Sequence, residues 1–222
     1  MATLAVAIDR LISQLQSGEP IGTAFESLRD LLDGIDSQKT LVSGMFTRFV
    51  NPDAAATTGF ATQKDLTGVT EGFSMAGLVS PDYPRNISAT GVISNGAITL
   101  LTITVTGTDI NGTAISEVLT IDADETVTGS KAFATLTSIA VTGTFSTGGG
   151  AGDTLDIGIG VKFGLAGTLS GVKKTVMDTV DVAVAGHTIN TTYNTIQFAT
   201  APNATHDYSV WYSSYFSSDT TD

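Results

Sequence analysis

The chain has 222 residues, no Cys, one Trp and a formal net charge of −12, with 41% hydrophobic and only 14% charged side chains. That composition belongs to a chain that folds, because disordered sequences combine low hydrophobicity with high charge density. Lacking Cys, it excludes disulfide scaffolds, cysteine-ligated zinc and thiol catalysis, and ten scattered basic residues against 22 acidic ones argue against a nucleic-acid partner.

No apolar run reaches the roughly 18 to 20 residues that a membrane-crossing helix needs, so no membrane partner is expected. The first apolar stretch is interrupted by Asp9 and Arg10 and lacks a basic leader, so it is not read as a signal peptide. Within it Leu4, Ile8, Leu11, Ile12 and Leu15 recur at spacings of three and four, which predicts a helix with one apolar stripe. Ser17, Gly18 and Pro20 stop that helix. Thr23 and Glu26 form a capping box for a second one, whose stripe is Phe25, Leu28, Leu31, Leu32 and Ile35. Residues 1–36 are therefore expected to form an αα-hairpin. It is too small to bury both stripes alone, so Leu4, Ile8, Leu11, Ile12, Leu15, Phe25, Leu28 and Leu32 are candidate interface residues. They would meet the rest of the chain, a second copy, or another protein.

Residues 37–70 show no period. Asn51-Pro-Asp-Ala-Ala-Ala-Thr-Thr-Gly59 reads as a turn followed by extended chain, and the whole segment is expected to be a connecting arm able to embrace a neighbouring subunit.

From residue 71 to 222 the period becomes two. Leu101, Ile103 and Val105 alternate with Thr102, Thr104 and Thr106, the mark of a half-buried strand. Asp109-Ile-Asn-Gly112 then supplies a hairpin turn to a partner strand, Ala114 to Ile121. Further strands are expected over 131–141, 155–163, 173–184, 188–198 and 208–216. The expected fold is mainly β, an antiparallel β-sandwich or barrel with the N-terminal αα-hairpin and extended arm. Its β domain, 71–222, divides into submodules of about 71–165 and 166–222.

Catalytic patterns are thin. His187 and His206 lie in turns, where a solvent-exposed bystander is the default reading, and no Gly-x-Ser-x-Gly elbow occurs. The run Ser146-Thr-Gly-Gly-Gly-Ala-Gly-Asp153 lacks the Gly-Lys-Ser/Thr ending of a phosphate loop, and so does Gly167-Thr-Leu-Ser-Gly171 before Lys173 and Lys174. Asp122, Asp124 and Glu125 are the candidate ligands for a structural Ca²⁺, with solvated loop acids as the default; Asp153 with Asp156 forms a second acidic pair. No cofactor is expected. Tyr208, Trp211, Tyr212, Tyr215 and Phe216 gather aromatic residues at the C-terminus, as core and sheet surface or as a peptide- or glycan-binding platform. Residues 1–50 carry four basic and six acidic side chains, against six and sixteen in the remainder. A nearly neutral N-terminal end suits burial in an assembly, with the acidic β end facing water.

At Pro81-Asp-Tyr-Pro-Arg-Asn-Ile87 an ordered set of motifs begins. It continues through Thr102-Ile-Thr-Val-Thr-Gly-Thr-Asp-Ile-Asn-Gly112, Glu117-Val-Leu-Thr-Ile121 and Thr128-Gly-Ser-Lys-Ala-Phe-Ala-Thr135. It ends with Asn190-Thr-Thr-Tyr-Asn-Thr195 and His206-Asp-Tyr-Ser-Val-Trp-Tyr212. Together these resemble a β module common in structural proteins of tailed bacteriophages. The resemblance spans roughly residues 80–212 and none of it reaches the N-terminal stripes. It implies a virion component without enzymatic activity, of which a capsid decoration or cement protein is the favoured form. That form would be homo-oligomeric, for instance trimeric, with the major capsid protein or another virion protein as partner. A head fibre, neck or tail appendage, a glycan-binding surface adhesion module, and a polysaccharide-degrading enzyme with paired carboxylates are the competing readings.

Overall fold

The computed structural model describes residues 39–93, 98–145, 148–178 and 187–217. The expected helical hairpin, 1–36, lies outside these residues. The chain divides into two compact units, Ser43–Ser214 and a second of Met1–Val42 with Tyr215–Asp222. The described residues fall almost wholly in the first. They form strands in antiparallel sheets, with no helix among them.

The largest sheet has the order β11 (His187–Asn190), β12 (Thr195–Phe198), β9 (Thr154–Gly164), β4 (Arg85–Val92), β7 (Glu125–Phe133), with β2 (Lys64–Asp65) also on β9. A four-stranded sheet runs β3 (Phe73–Ser74), β8 (Thr135–Phe145), β5 (Ile98–Thr108), β6 (Ala114–Ile121). The third sheet is β1 (Lys39–Phe49), β13 (Tyr208–Ser217), β10 (Thr168–Met177).

The Thr-rich strand behaves as its alternation requires. Leu101, Ile103 and Val105 are fully buried and the intervening threonines half-buried. The hairpin to β6 turns at Gly112, φ +79°, and Asp109 Oδ1 accepts the amides of Asn111 and Thr113. These side chains join Ile87, Ala89, Leu119, Ile121, Ile139, Val141, Leu155, Ile157 and Ile159 in one aliphatic core. A second core, rich in rings, gathers Phe49, Phe163, Phe198, Tyr208 and Tyr212 with Leu165, Leu169, Ile196 and Val210.

Three expectations are corrected. The connecting arm over 37–70 is, from Lys39 onward, built into the fold. Lys39–Phe49 is a strand, and 56–68 runs along one edge of β9. Amides of Ala56, Phe60 and Leu66 donate to carbonyls of Ile159, Ile157 and Asp153 there. Leu66 is fully buried. The segment has no readable period because its buried residues enter one at a time, and because β1 turns Phe46 outward and Phe49 inward. The run 131–141 is two strands, broken where the Ala134 amide leaves the ladder to donate to the Thr108 carbonyl. The run 188–198 is a hairpin, its four-residue turn held by Asn190 Oδ1 accepting the amides of Thr192 and Tyr193.

The Pro84-Arg-Asn motif sits at a double irregularity. Opposite Asn86, three residues of β9 (Gly160 to Lys162) stand where one is needed; opposite Ile87, β7 has Gly129 to Lys131. Such bulges orphan backbone groups. Asn86 Nδ2 donates to the Gly129 carbonyl at 2.8 Å and its Oδ1 accepts the Lys162 amide at 2.8 Å. Arg85, fully buried, donates Nε to the Gly160 carbonyl at 3.0 Å and Nη1 to the Asp53 carbonyl at 2.8 Å. Its guanidinium lies 4.6 Å from the Phe163 ring centroid. On the β7 side Glu117 accepts the Ser130 and Lys131 amides.

Candidate functional site

The three-stranded sheet has two unlike faces, set by the alternation of side chains along its strands. Phe49, Tyr208, Val210 and Tyr212 point into the ring-rich core. Tyr208 Oη donates to the Ala201 carbonyl at 2.8 Å, and burial raises its phenol above the usual value. Tyr212 Oη accepts the Ala166 amide at 3.3 Å.

The alternate residues, Phe46 and Arg48 of β1, Ser209 and Trp211 of β13, Lys174 and Val176 of β10, line a groove of about 430 Å³ together with Asp178. Phe46 is 50% exposed, and its ring lies 4.8 Å from that of Trp211 at 45°. Lys174 Nζ is 5.6 Å from the Trp211 ring centroid. Val176 and Ser209 are buried and form the floor.

A polar cluster braces one end. Arg48 Nη2 is ion-paired to Asp207, whose other oxygen accepts the Asn51 amide at 2.9 Å. The Arg48 hydrogen bond, then the Asn51 amide, hold the Asp207 carboxyl below its usual range. Asp178, in the left-handed region at φ +56°, takes His206 Nδ1 at 2.7 Å and the Asp207 amide at 3.0 Å. This arrangement offers stacking surface, donors and acceptors.

The sequence-derived candidates fall as follows. Leu4, Ile8, Leu11, Ile12, Leu15, Phe25, Leu28 and Leu32 lie outside the described residues. Asp122, Asp124 and Glu125 occupy the β6–β7 turn, where two of the carboxylates serve backbone amides: Asp124 Oδ1 accepts Ile93 N at 2.7 Å and Glu125 Oε1 accepts Asp122 N at 3.4 Å. Among the described residues no group of three or more His, Asp or Glu is placed to hold a metal ion. Asp156 accepts Gln63 Nε2 at 2.7 Å, and Asp153 accepts the Gly150 amide at 2.8 Å. The glycines at 148 and 149 are pressed against Gly68 and Leu66, with the Gly68 amide donating to the Gly149 carbonyl, so their service is close packing. Of the C-terminal aromatics, Tyr208 and Tyr212 are core, while Trp211 faces the groove. Phe46, Arg48, Lys174 and Asp178 carried no local signal, being brought to Trp211 only by strand pairing. His206, read as a bystander, is paired to an aspartate 28 residues away. In comparisons with known proteins, no family model, no curated protein and no solved structure matches the chain.

Proposed function

We propose that this chain is a non-enzymatic structural component of a tailed-phage virion, a capsid decoration protein that binds and stabilises the head shell. In this reading the β-sandwich-like or barrel-like domain sits on the shell as a homo-oligomer. The apolar stripes of an N-terminal αα-hairpin, Leu4 to Leu15 and Phe25 to Leu32, contact the major capsid protein or another virion protein.

One observation supports the reading beside the resemblance. The motif residues are spent on holding sheets together. Arg85 and Asn86 satisfy the orphaned backbone of two bulges, Asp109 closes a hairpin, and Glu117 binds the amides of Ser130 and Lys131. A pattern with that internal use suits a module whose task is to be a durable part. Edge strands add a means of assembly, because their unpaired backbone groups can be shared between copies.

Electron microscopy of purified particles labelled with an antibody to this chain tests the proposal. Label spread over the head is the expected result. Label confined to the neck or tail moves the assignment to a connector or fibre, and absence of the chain from particles overturns the virion reading.

A further inference from the structure

We infer that the groove lined by Phe46 and Trp211 binds a neutral carbohydrate ring. The inference stands apart from the virion assignment and rests on three features of the groove.

The first is its floor. Ser209 is 8% exposed and faces the groove, yet among the described residues its hydroxyl has no hydrogen-bond partner. Buried hydroxyls in native proteins are almost always paired, so this one is left for a ligand or water. A wholly apolar ligand would leave it unpaired. A hydroxylated one would both donate to it and accept from it.

The second is the aromatic wall. The exposed part of Phe46 and the half-buried Trp211 present ring surface, to which the C–H face of a pyranose is complementary; aromatic rings are amphipathic contact surfaces of this kind. The volume, about 430 Å³, lies within the range of small-ligand pockets and accommodates one or two sugar rings.

The third is charge. Two cations, Arg48 and Lys174, stand with two carboxylates, Asp207 and Asp178. Neither sign is in excess at the rim, and a chain of net charge −12 repels polyanions. Donors and acceptors thus surround the aromatic wall, which suits hydroxyl groups that do both.

Trp211 is the only tryptophan, so the intrinsic fluorescence of the intact chain reports on this groove. The test is a titration with glucose, galactose, mannose, N-acetylglucosamine and lactose to about 50 mM, some fiftyfold above a millimolar dissociation constant. Saturation-transfer NMR on the same sugars detects binding that leaves the emission unchanged. Saturable binding of at least one sugar is expected. Phe46→Ala should weaken it by at least about tenfold and Ser209→Val by about threefold to tenfold. Phe46 is half exposed, so its replacement should leave the melting temperature nearly unchanged. Failure of every sugar in both measurements overturns the inference. So does saturation with wild-type affinity in Phe46→Ala.

Discussion

The two cores of the chain are built from different chemistry. One is mainly aliphatic, drawn chiefly from β4, β5, β6, β8 and β9 with Phe133 of β7 and Leu66, and no hydroxyl or charged group enters it. The other is dominated by rings, and its polar atoms are tied down: Tyr208 and Tyr212 hydroxyls to backbone, and Arg85 against Phe163. The aliphatic core depends on register, since a one-residue slip would turn Ile103 and its neighbours out to solvent. The ring-rich core depends on specific hydrogen bonds and tolerates irregular strands around it. Arg85 and Asn86 stand where both demands meet, at the bulges of β7 and β9.

If that contrast is correct, the largest single loss should come from Arg85. Burial lowers its guanidinium to about 10, against the pull of Asp82 and Asp53, so it remains charged at neutral pH. Arg85→Met would strand the Gly160 and Asp53 carbonyls, and by analogy with broken buried pairs should cost about 3–5 kcal/mol in urea denaturation. Ile103→Ala, a cavity in the aliphatic core, should follow at about 2–5 kcal/mol. The sharper test is coupling. Arg85→Met combined with Phe163→Leu should deviate from additivity by about 0.5–3 kcal/mol, whereas Arg85→Met combined with Ile103→Ala should add within about 0.5 kcal/mol. Equal coupling in both pairs would erase the distinction between the cores.

The same contrast explains what could be read from residues alone. Strand β5 was legible because a fully buried face alternates with threonine, and its hairpin because Asp109 to Gly112 is local turn chemistry. The strand β9 was found, yet its burial on both faces was not, since the covering segment 56–60 carries only Ala56 and Phe60 as apolar contacts. The C-terminal aromatics were visible as a cluster. Which of them are core and which face the groove depends on the pairing of β13 with β1 and β10, strands more than 30 residues away in sequence. The groove itself was invisible for that reason. Arg85 was noticed only as part of a motif, because nothing in a single sequence distinguishes a buried arginine from a surface one.

A smaller effect is expected at Gly158. A Cβ there would run into the backbone of Ala56 and Thr57, so Gly158→Ala should lift segment 56–60 from β9 at a cost of about 1–3 kcal/mol. Hydrogen exchange should quicken at the Phe60 and Val79 amides, which bond through this segment, and stay slow in β5 and β6. Uniform acceleration would mean that the segment is inseparable from the aliphatic core.

The smallest effect concerns the brace beside the groove. Arg48 and the Asn51 amide favour the ionised Asp207, so the folded chain binds this proton less readily than the unfolded chain. The resulting stabilisation is present above the ordinary aspartate value of 3.8 and is lost as pH falls through the lower folded value. Asp207→Asn should therefore flatten the acid limb of a urea-midpoint profile below about pH 4, while leaving the slope near neutrality unchanged. The pair is exposed to solvent, so the difference should shrink further in high salt. The substitution also releases Arg48, which lines the groove from β1. If sugar affinity falls in Asp207→Asn at neutral pH while stability hardly changes, the ion pair serves chiefly to position the guanidinium at the groove, and the ring-rich core beneath already holds β1 in place.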